Sequence, residues 1–115
     1  MKYTVVKNYS DAPESPIQVT AGEELQFVEE SDSNGDWPNW VFCRGENKEG
    51  WVPKQLLELN NSVARVLKDY SAQEHSLVEG DILIKEYELN GWIWCHKVEG
   101  NKQSAWAPLN HLTIV

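Results

Sequence analysis

The sequence is short of most features that mark catalysis, export or membrane insertion. No apolar run approaches the length that crosses a bilayer. The start, Met1-Lys2-Tyr3-Thr4-Val5-Val6-Lys7, lacks the apolar core of roughly 7 to 15 residues that a secretory signal carries. A cytoplasmic protein with no membrane partner is therefore expected, and wall binding after export is disfavoured. There are two cysteines, Cys43 and Cys95, each three residues after a tryptophan. That matched placement makes each a small buried strand residue of its own half, not half of a disulfide. Nucleophile motifs, phosphate loops and paired-carboxylate signatures are missing. The acidic run Glu29-Glu30-Ser31-Asp32 reads as a solvated loop, and His75, His96 and His111 lie on separate elements. We expect no enzyme activity, cofactor or metal site.

Positive charge is also scarce. Ten Lys and Arg stand against eighteen Asp and Glu, a net charge of −8. Residues 1–61 hold five basic and eleven acidic groups and residues 62–115 hold five and seven, so the halves carry −6 and −2. Nucleic-acid affinity rests on Lys and Arg displacing counterions from phosphates, so nucleic acid is a poor partner. A basic or neutral peptide suits this surface better.

What the chain does have is tryptophan, and in a repeated pattern. Trp40-Val41-Phe42-Cys43 leads through the turn Arg44-Gly45-Glu46-Asn47-Lys48-Glu49-Gly50 to Trp51-Val52-Pro53. Later Trp92-Ile93-Trp94-Cys95 leads through a polar connection with Gly100-Asn101 to Trp106-Ala107-Pro108. An aromatic and β-branched run, a Gly-containing turn and a second run closed by proline spell a β-hairpin, here written twice.

The rest of the chain repeats as well. Val6-Lys7-Asn8-Tyr9-Ser10 is echoed by Leu67-Lys68-Asp69-Tyr70-Ser71, and Gly22-Glu23-Glu24-Leu25 by Gly80-Asp81-Ile82-Leu83. The offset is 61 at the tyrosines, 58 at the glycines, 52 at the first tryptophans and 55 at the prolines. Spacing shifts between strands while matches persist within them, as loops vary over a fixed framework. Pro13 and Pro16 forbid helix in the excursion after Tyr9, so Ser10 to Thr20 is expected as a hairpin arm. No useful amphipathic helix appears. The expectation is an all-β chain with a first domain at 1–59, a linker at 60–62 and a second domain at 63–115. So short a linker implies a monomer whose repeats pack side by side.

The ordered series (a strand ending in an aromatic, a long acidic loop, Gly-Asp/Glu-x-Leu, a Trp strand, and an aromatic-aliphatic-Pro ending) resembles the Src homology 3 (SH3) domain, in two consecutive copies of a variant, bacterial-like type. The resemblance implies two small five-stranded β-barrels, each with a groove for proline-rich peptides in the polyproline II conformation. By the same resemblance the first groove is lined by Tyr9, Trp40, Trp51 and Pro53, and the second by Tyr70, Trp92, Trp106, Pro108 and Asn110. Glu74 stands where an acidic loop residue meets a basic ligand side chain; the first copy has Pro16 there, with Glu14 close by. The family's other groove tyrosines are replaced by Lys7, Lys68, Leu56 and His111. Where the first copy has Phe27 the second has Lys85, whose stem is expected to snorkel along the rim.

The expected function is thus a non-catalytic module that binds a peptide or protein, proline-rich or basic, through outward-facing indoles. Two alternatives compete. The grooves serve self-association, filled by the other half or another chain, or they form an aromatic cage with nearby carboxylates for a modified lysine.

Overall fold

The computed structural model describes residues 1–35, 37–100 and 102–115; Asn101, in the second hairpin's connection, lies outside them. Among the described residues twelve strands run in the order β1 (Lys2–Val5), β2 (Gln18–Val19), β3 (Glu24–Glu30), β4 (Trp40–Gly45), β5 (Lys48–Pro53), β6 (Leu57–Asn60), β7 (Val63–Val66), β8 (Tyr70–Ser71), β9 (Ile82–Leu89), β10 (Trp92–Lys97), β11 (Ala105–Pro108) and β12 (Leu112–Ile114). Single 3-10 turns cover Lys54–Leu56 and Leu109–His111. Both Trp-to-Pro hairpins form, with Trp40 opposite Pro53 and Trp92 opposite Pro108.

The strands pair into two five-stranded antiparallel sheets, β11-β10-β9-β1-β12 and β5-β4-β3-β7-β6, and a two-stranded one, β2-β8. The orders of the five-stranded sheets are the same once β1 is equated with β7. Both of these sheets carry a register shift at matched places, between Phe27 and Glu29 and between Trp94 and Cys95.

The pairing divides the chain differently from the sequence repeat. One compact unit comprises Met1–Glu14 and Gln73–Val115, and the other is Ser15–Ala72. We call them unit 1 and unit 2. Unit 2 is continuous and is inserted into unit 1 between Glu14 and Gln73. β1 pairs with β9 and β12 of the second copy, while β7 pairs with β3 and β6 of the first.

The segment read as a linker explains this. Asn60 pairs with Val63, so Asn61-Ser62 is a two-residue hairpin turn, with Asn61 in the left-handed region at φ 58°. A turn this tight lays β7 beside β6, in the position the first copy's own first strand would fill. β1 is displaced to the other body. The arm after Tyr9 is divided in the same way: β2 pairs with β8, not with the Tyr9 segment, and Tyr9 bridges Leu77 instead.

Each unit buries its alternate strand residues. Unit 1 gathers Tyr3, Val5, Leu77, Leu83, Ile93, Cys95 and Ala107, with Tyr9, Leu109 and Leu112 packed against them. Unit 2 buries Ile17, Val19, Leu25, Val41, Cys43, Val52, Leu57, Ala64 and Val66. A fully buried side chain such as Ile93 contributes about 1.5–3 kcal/mol. Both cysteines are free and buried, and burial lifts the Cys43 thiol to about 11 and that of Cys95 to about 12. They are small apolar core residues, as their spacing suggested. Lys85 follows its expected course too: its ammonium reaches Glu88 at 3.0 Å from a partly covered stem.

Candidate functional site

In unit 1 the backbone brings the two ends of the chain to one place. Tyr9 and Leu77 exchange backbone hydrogen bonds of 3.0 and 2.8 Å, and the Glu79 N–H donates to Asn8 Oδ1 at 2.7 Å. Beyond them Glu74 lies alongside β11, fixed by Trp106 N–H to Gln73 O and His75 N–H to Trp106 O, both 2.9 Å. The second 3-10 turn is tied by Leu109 N–H to Gly91 O and by Val6 N–H to His111 O.

These ties bring aromatic rings together beside a carboxylate, an arrangement we call the cleft of unit 1. The Tyr9 ring meets Trp92 edge-on at 5.9 Å and His111 edge-on at 5.3 Å. Its hydroxyl donates to Glu74 Oε1. Asn110 Oδ1 lies 2.6 Å from His111 Nδ1, and Pro108 is fully buried beneath. Burial pushes the Glu74 carboxyl above its usual range; the Tyr9 bond opposes this and the Asp11 charge adds to it. The same burial, then the Glu74 bond and charge, pushes the Tyr9 phenol far up. At neutral pH Tyr9 is a neutral donor beside a poorly solvated acid, and the aromatic walls around them suit a cation.

The residues expected to line two grooves are therefore regrouped. Tyr9 joins Trp92, Trp106, Pro108, Asn110 and Glu74 in unit 1, whereas Tyr70 joins Trp40, Trp51 and Pro53 in unit 2. Glu14 lies exposed on the segment after Tyr9.

Not every indole faces outward as expected. Trp92 is half-buried, but Trp40 is 8% exposed and Trp106 2%. Trp106 packs edge-on between Trp94 at 5.2 Å and Tyr87 at 5.4 Å, and its backbone bonds to Gln73 and His75 on either side of Glu74. Trp40 is clasped by Ser31, whose Oγ accepts its N–H at 3.0 Å and whose N–H donates to its carbonyl at 2.8 Å. The acidic connection thus folds back beside the start of β4. Among the described residues the buried Trp40 indole N–H finds no hydrogen-bond partner, an unusual condition for a buried donor. Trp51, 39% exposed, rests edge-on against Phe42 at 5.2 Å.

Sequence reasoning did not single out His111 as a wall beside Tyr9, or Asp11 as a charge acting on it. The tyrosine offset of 61 carries Asp11 onto Ala72, so the copies differ there, but only the exchanged pairing sets Asp11 near Glu74. Among the described residues no group of three or more His, Cys, Asp or Glu converges to hold a metal ion, and no helix is long and apolar enough to cross a membrane.

The variant SH3 domain family model matches residues 2–59, half of the chain. The chain belongs to the variant SH3 domain family. SH3 and PX domain-containing protein 2B of Homo sapiens is 27% identical over 128 residues, covering 96% of this chain and 13% of that protein. Its Mus musculus counterpart is 26% identical over the same span. SH3 and PX domain-containing protein 2A of Mus musculus is 33% identical over 60 residues, 52% of this chain and 5% of that protein. The chain thus spans about an eighth of the length of the 2B relatives. No solved structure matches it. The family is one of protein-interaction modules and is generally non-catalytic.

Proposed function

We propose that the chain binds an extended, basic or proline-rich peptide segment in the cleft of unit 1, without chemistry on the ligand. The observation that carries this reading is the Tyr9–Glu74–Trp92–His111 arrangement: two flat walls stand about 80° to the Tyr9 ring, whose hydroxyl holds a carboxylate. Polyproline II segments have no internal hydrogen bonds and offer proline rings to such walls, and a Lys or Arg beside them answers Glu74. The net charge of −8 steers a basic segment toward the chain.

Unit 2 supports a second contact of the same kind. Trp51, 39% exposed and resting edge-on against Phe42, is the indole open to a ligand there.

Calorimetric titration of the full chain with a proline-rich peptide containing one arginine, and with the same peptide carrying norleucine there, tests the proposal. The arginine peptide binds more tightly, and Glu74→Gln cuts its affinity about three- to tenfold while erasing the preference. Equal affinity of the two peptides for the unaltered protein contradicts it.

A further inference from the structure

β1 and β7 fill equivalent places in the two sheets, so this sequence has two ways to distribute them. In the observed arrangement β1 lies between β9 and β12, and β7 between β3 and β6. In the consecutive arrangement each strand returns to its own copy.

Two side-chain positions in each unit distinguish the arrangements. In unit 1 Tyr3 stands opposite Leu83, and Lys85 follows two residues along β9 on the same face. The Tyr3 ring is buried and its hydroxyl interacts with the Lys85 ammonium. In unit 2 the place of Tyr3 is held by Ala64, opposite Leu25 and fully sealed, and the place of Lys85 by Phe27. Each unit therefore has one aromatic ring across this pair of positions. It comes from the first strand in unit 1 and from the third in unit 2. The consecutive arrangement would crowd Tyr3 and Phe27 into one core and leave only Ala64 and a lysine stem in the other. Overpacking and cavity formation both oppose it, and so does turning the Tyr3 hydroxyl from a lysine toward a phenyl ring.

We propose that the matching of Tyr3 with Lys85 and of Ala64 with Phe27 is a pairing code that assigns residues 1–14 to the body formed by 73–115, and so decides which tyrosine completes the cleft with Trp92. The Asn61-Ser62 turn acts in the same direction by holding β7 beside β6. The code holds without it.

Paired cysteines in the full chain separate the two arrangements. Thr4 is opposite Thr113 now, and the equivalent pair in unit 2, Arg65 and Glu58, shows that the consecutive arrangement would set Thr4 opposite Glu58. Native Cys43 and Cys95 are sealed and do not compete under mild oxidation. An insertion of about eight Gly and Ser residues between Asn60 and Val63, a change that costs little loop entropy, releases the constraint of the turn. In that long-loop chain, Thr4→Cys with Thr113→Cys closes an intramolecular disulfide and Thr4→Cys with Glu58→Cys does not. Exchanging the two first-strand residues, Tyr3→Ala with Ala64→Tyr, reverses the code and inverts the outcome. The pair Ala64→Tyr with Phe27→Lys gives both bodies the same code, so both cross-links form; it decides the matter if the exchanged variant does not fold. A Thr4–Glu58 bond in the long-loop chain with native code overturns the proposal. So does a pattern unaltered by both recoded variants, or a Thr4–Thr113 bond found only in covalent dimers.

Discussion

Tyr9 and Glu74 are 65 residues apart and share a hydrogen bond, the phenol donating to the carboxylate. The bond exists because unit 2 is inserted at the tip of the loop to which both residues belong. Each copy of the repeat contributes one partner, so the cleft of unit 1 is a property of neither copy alone.

Replacing the donor and replacing the acceptor have different consequences. Tyr9→Phe leaves a half-buried carboxylate oxygen without its donor, at a cost of about 1 kcal/mol by urea unfolding. It also raises the Glu74 carboxyl further, because that bond is the influence holding it down, and a carbon-detected NMR titration of Glu74 reads the shift directly. Glu74→Gln keeps an acceptor for Tyr9 and removes the burdened charge. A carboxyl held above its unfolded value contributes stability that is complete below the unfolded value and is lost as pH rises through the folded one. The Gln variant is therefore at least as stable as the parent at neutral pH and binds a cationic peptide less well. A clear loss of stability in Glu74→Gln contradicts this assignment.

Acid weakens the protein through His75. Burial holds this imidazole below its ordinary value, and its Nε2–H donates to Cys95 O at 2.8 Å, so the folded state keeps it neutral. The unfolded chain takes up the proton first as pH falls. The contribution is therefore present above the unfolded value near 6.5 and declines as pH drops from there through the lowered folded value. Thermal melts of His75→Gln between neutral and mildly acidic pH show a smaller fall in midpoint than the parent; parallel curves rule out His75 as the source.

Trp40→Phe separates binding from stability in unit 2. The smaller ring gives up some packing, but it also removes a buried N–H that has no acceptor, and the two effects offset to within about 1 kcal/mol. Peptide affinity at that unit is unchanged, because the sealed N–H does not reach a ligand, whereas Trp51→Ala lowers it. Chemical-shift titration read at the Phe42 amide measures both. Unchanged affinity in Trp51→Ala removes unit 2 from the binding account.

Because unit 2 is continuous, residues 15–72 hold every strand of their sheet. That fragment melts cooperatively although it is near the lower size limit for autonomous folding. Residues 1–59 lack β7 and have only β1 to fill its place, which sets Tyr3 beside Phe27. Circular dichroism melts of the two fragments rank 15–72 as the more stable, and the reverse ranking contradicts the nested division.

Much of this was legible in the sequence. Apolar alternation and matched turns gave the strands, the hairpins and the repeat, since local pattern dictates local pairing. The matched cysteines announced their burial, and the two Trp-to-Pro runs were readable as hairpins, though not their registers. Which body each first strand joins was not legible from the repeat, because equivalence between copies makes β1 and β7 interchangeable as patterns. Two signs were nevertheless present. Asn61-Ser62 is turn chemistry, not spacer, and Lys85 in the place of Phe27 is explained only when Tyr3 and Ala64 are weighed with it. The burial of Trp40 depends on how the acidic connection folds back through Ser31, a tertiary contact with no periodic signature.

The most direct measurement is a heteronuclear NMR titration of the full chain with an arginine-containing proline-rich peptide, following backbone amides and indole N–H signals together. The account predicts concerted shifts at Tyr9, Glu74, Trp92 and His111, residues drawn from both ends of the sequence, saturating at one ligand concentration. Shifts confined to residues 73–115 with Tyr9 silent, or no shift at Trp92, would contradict it.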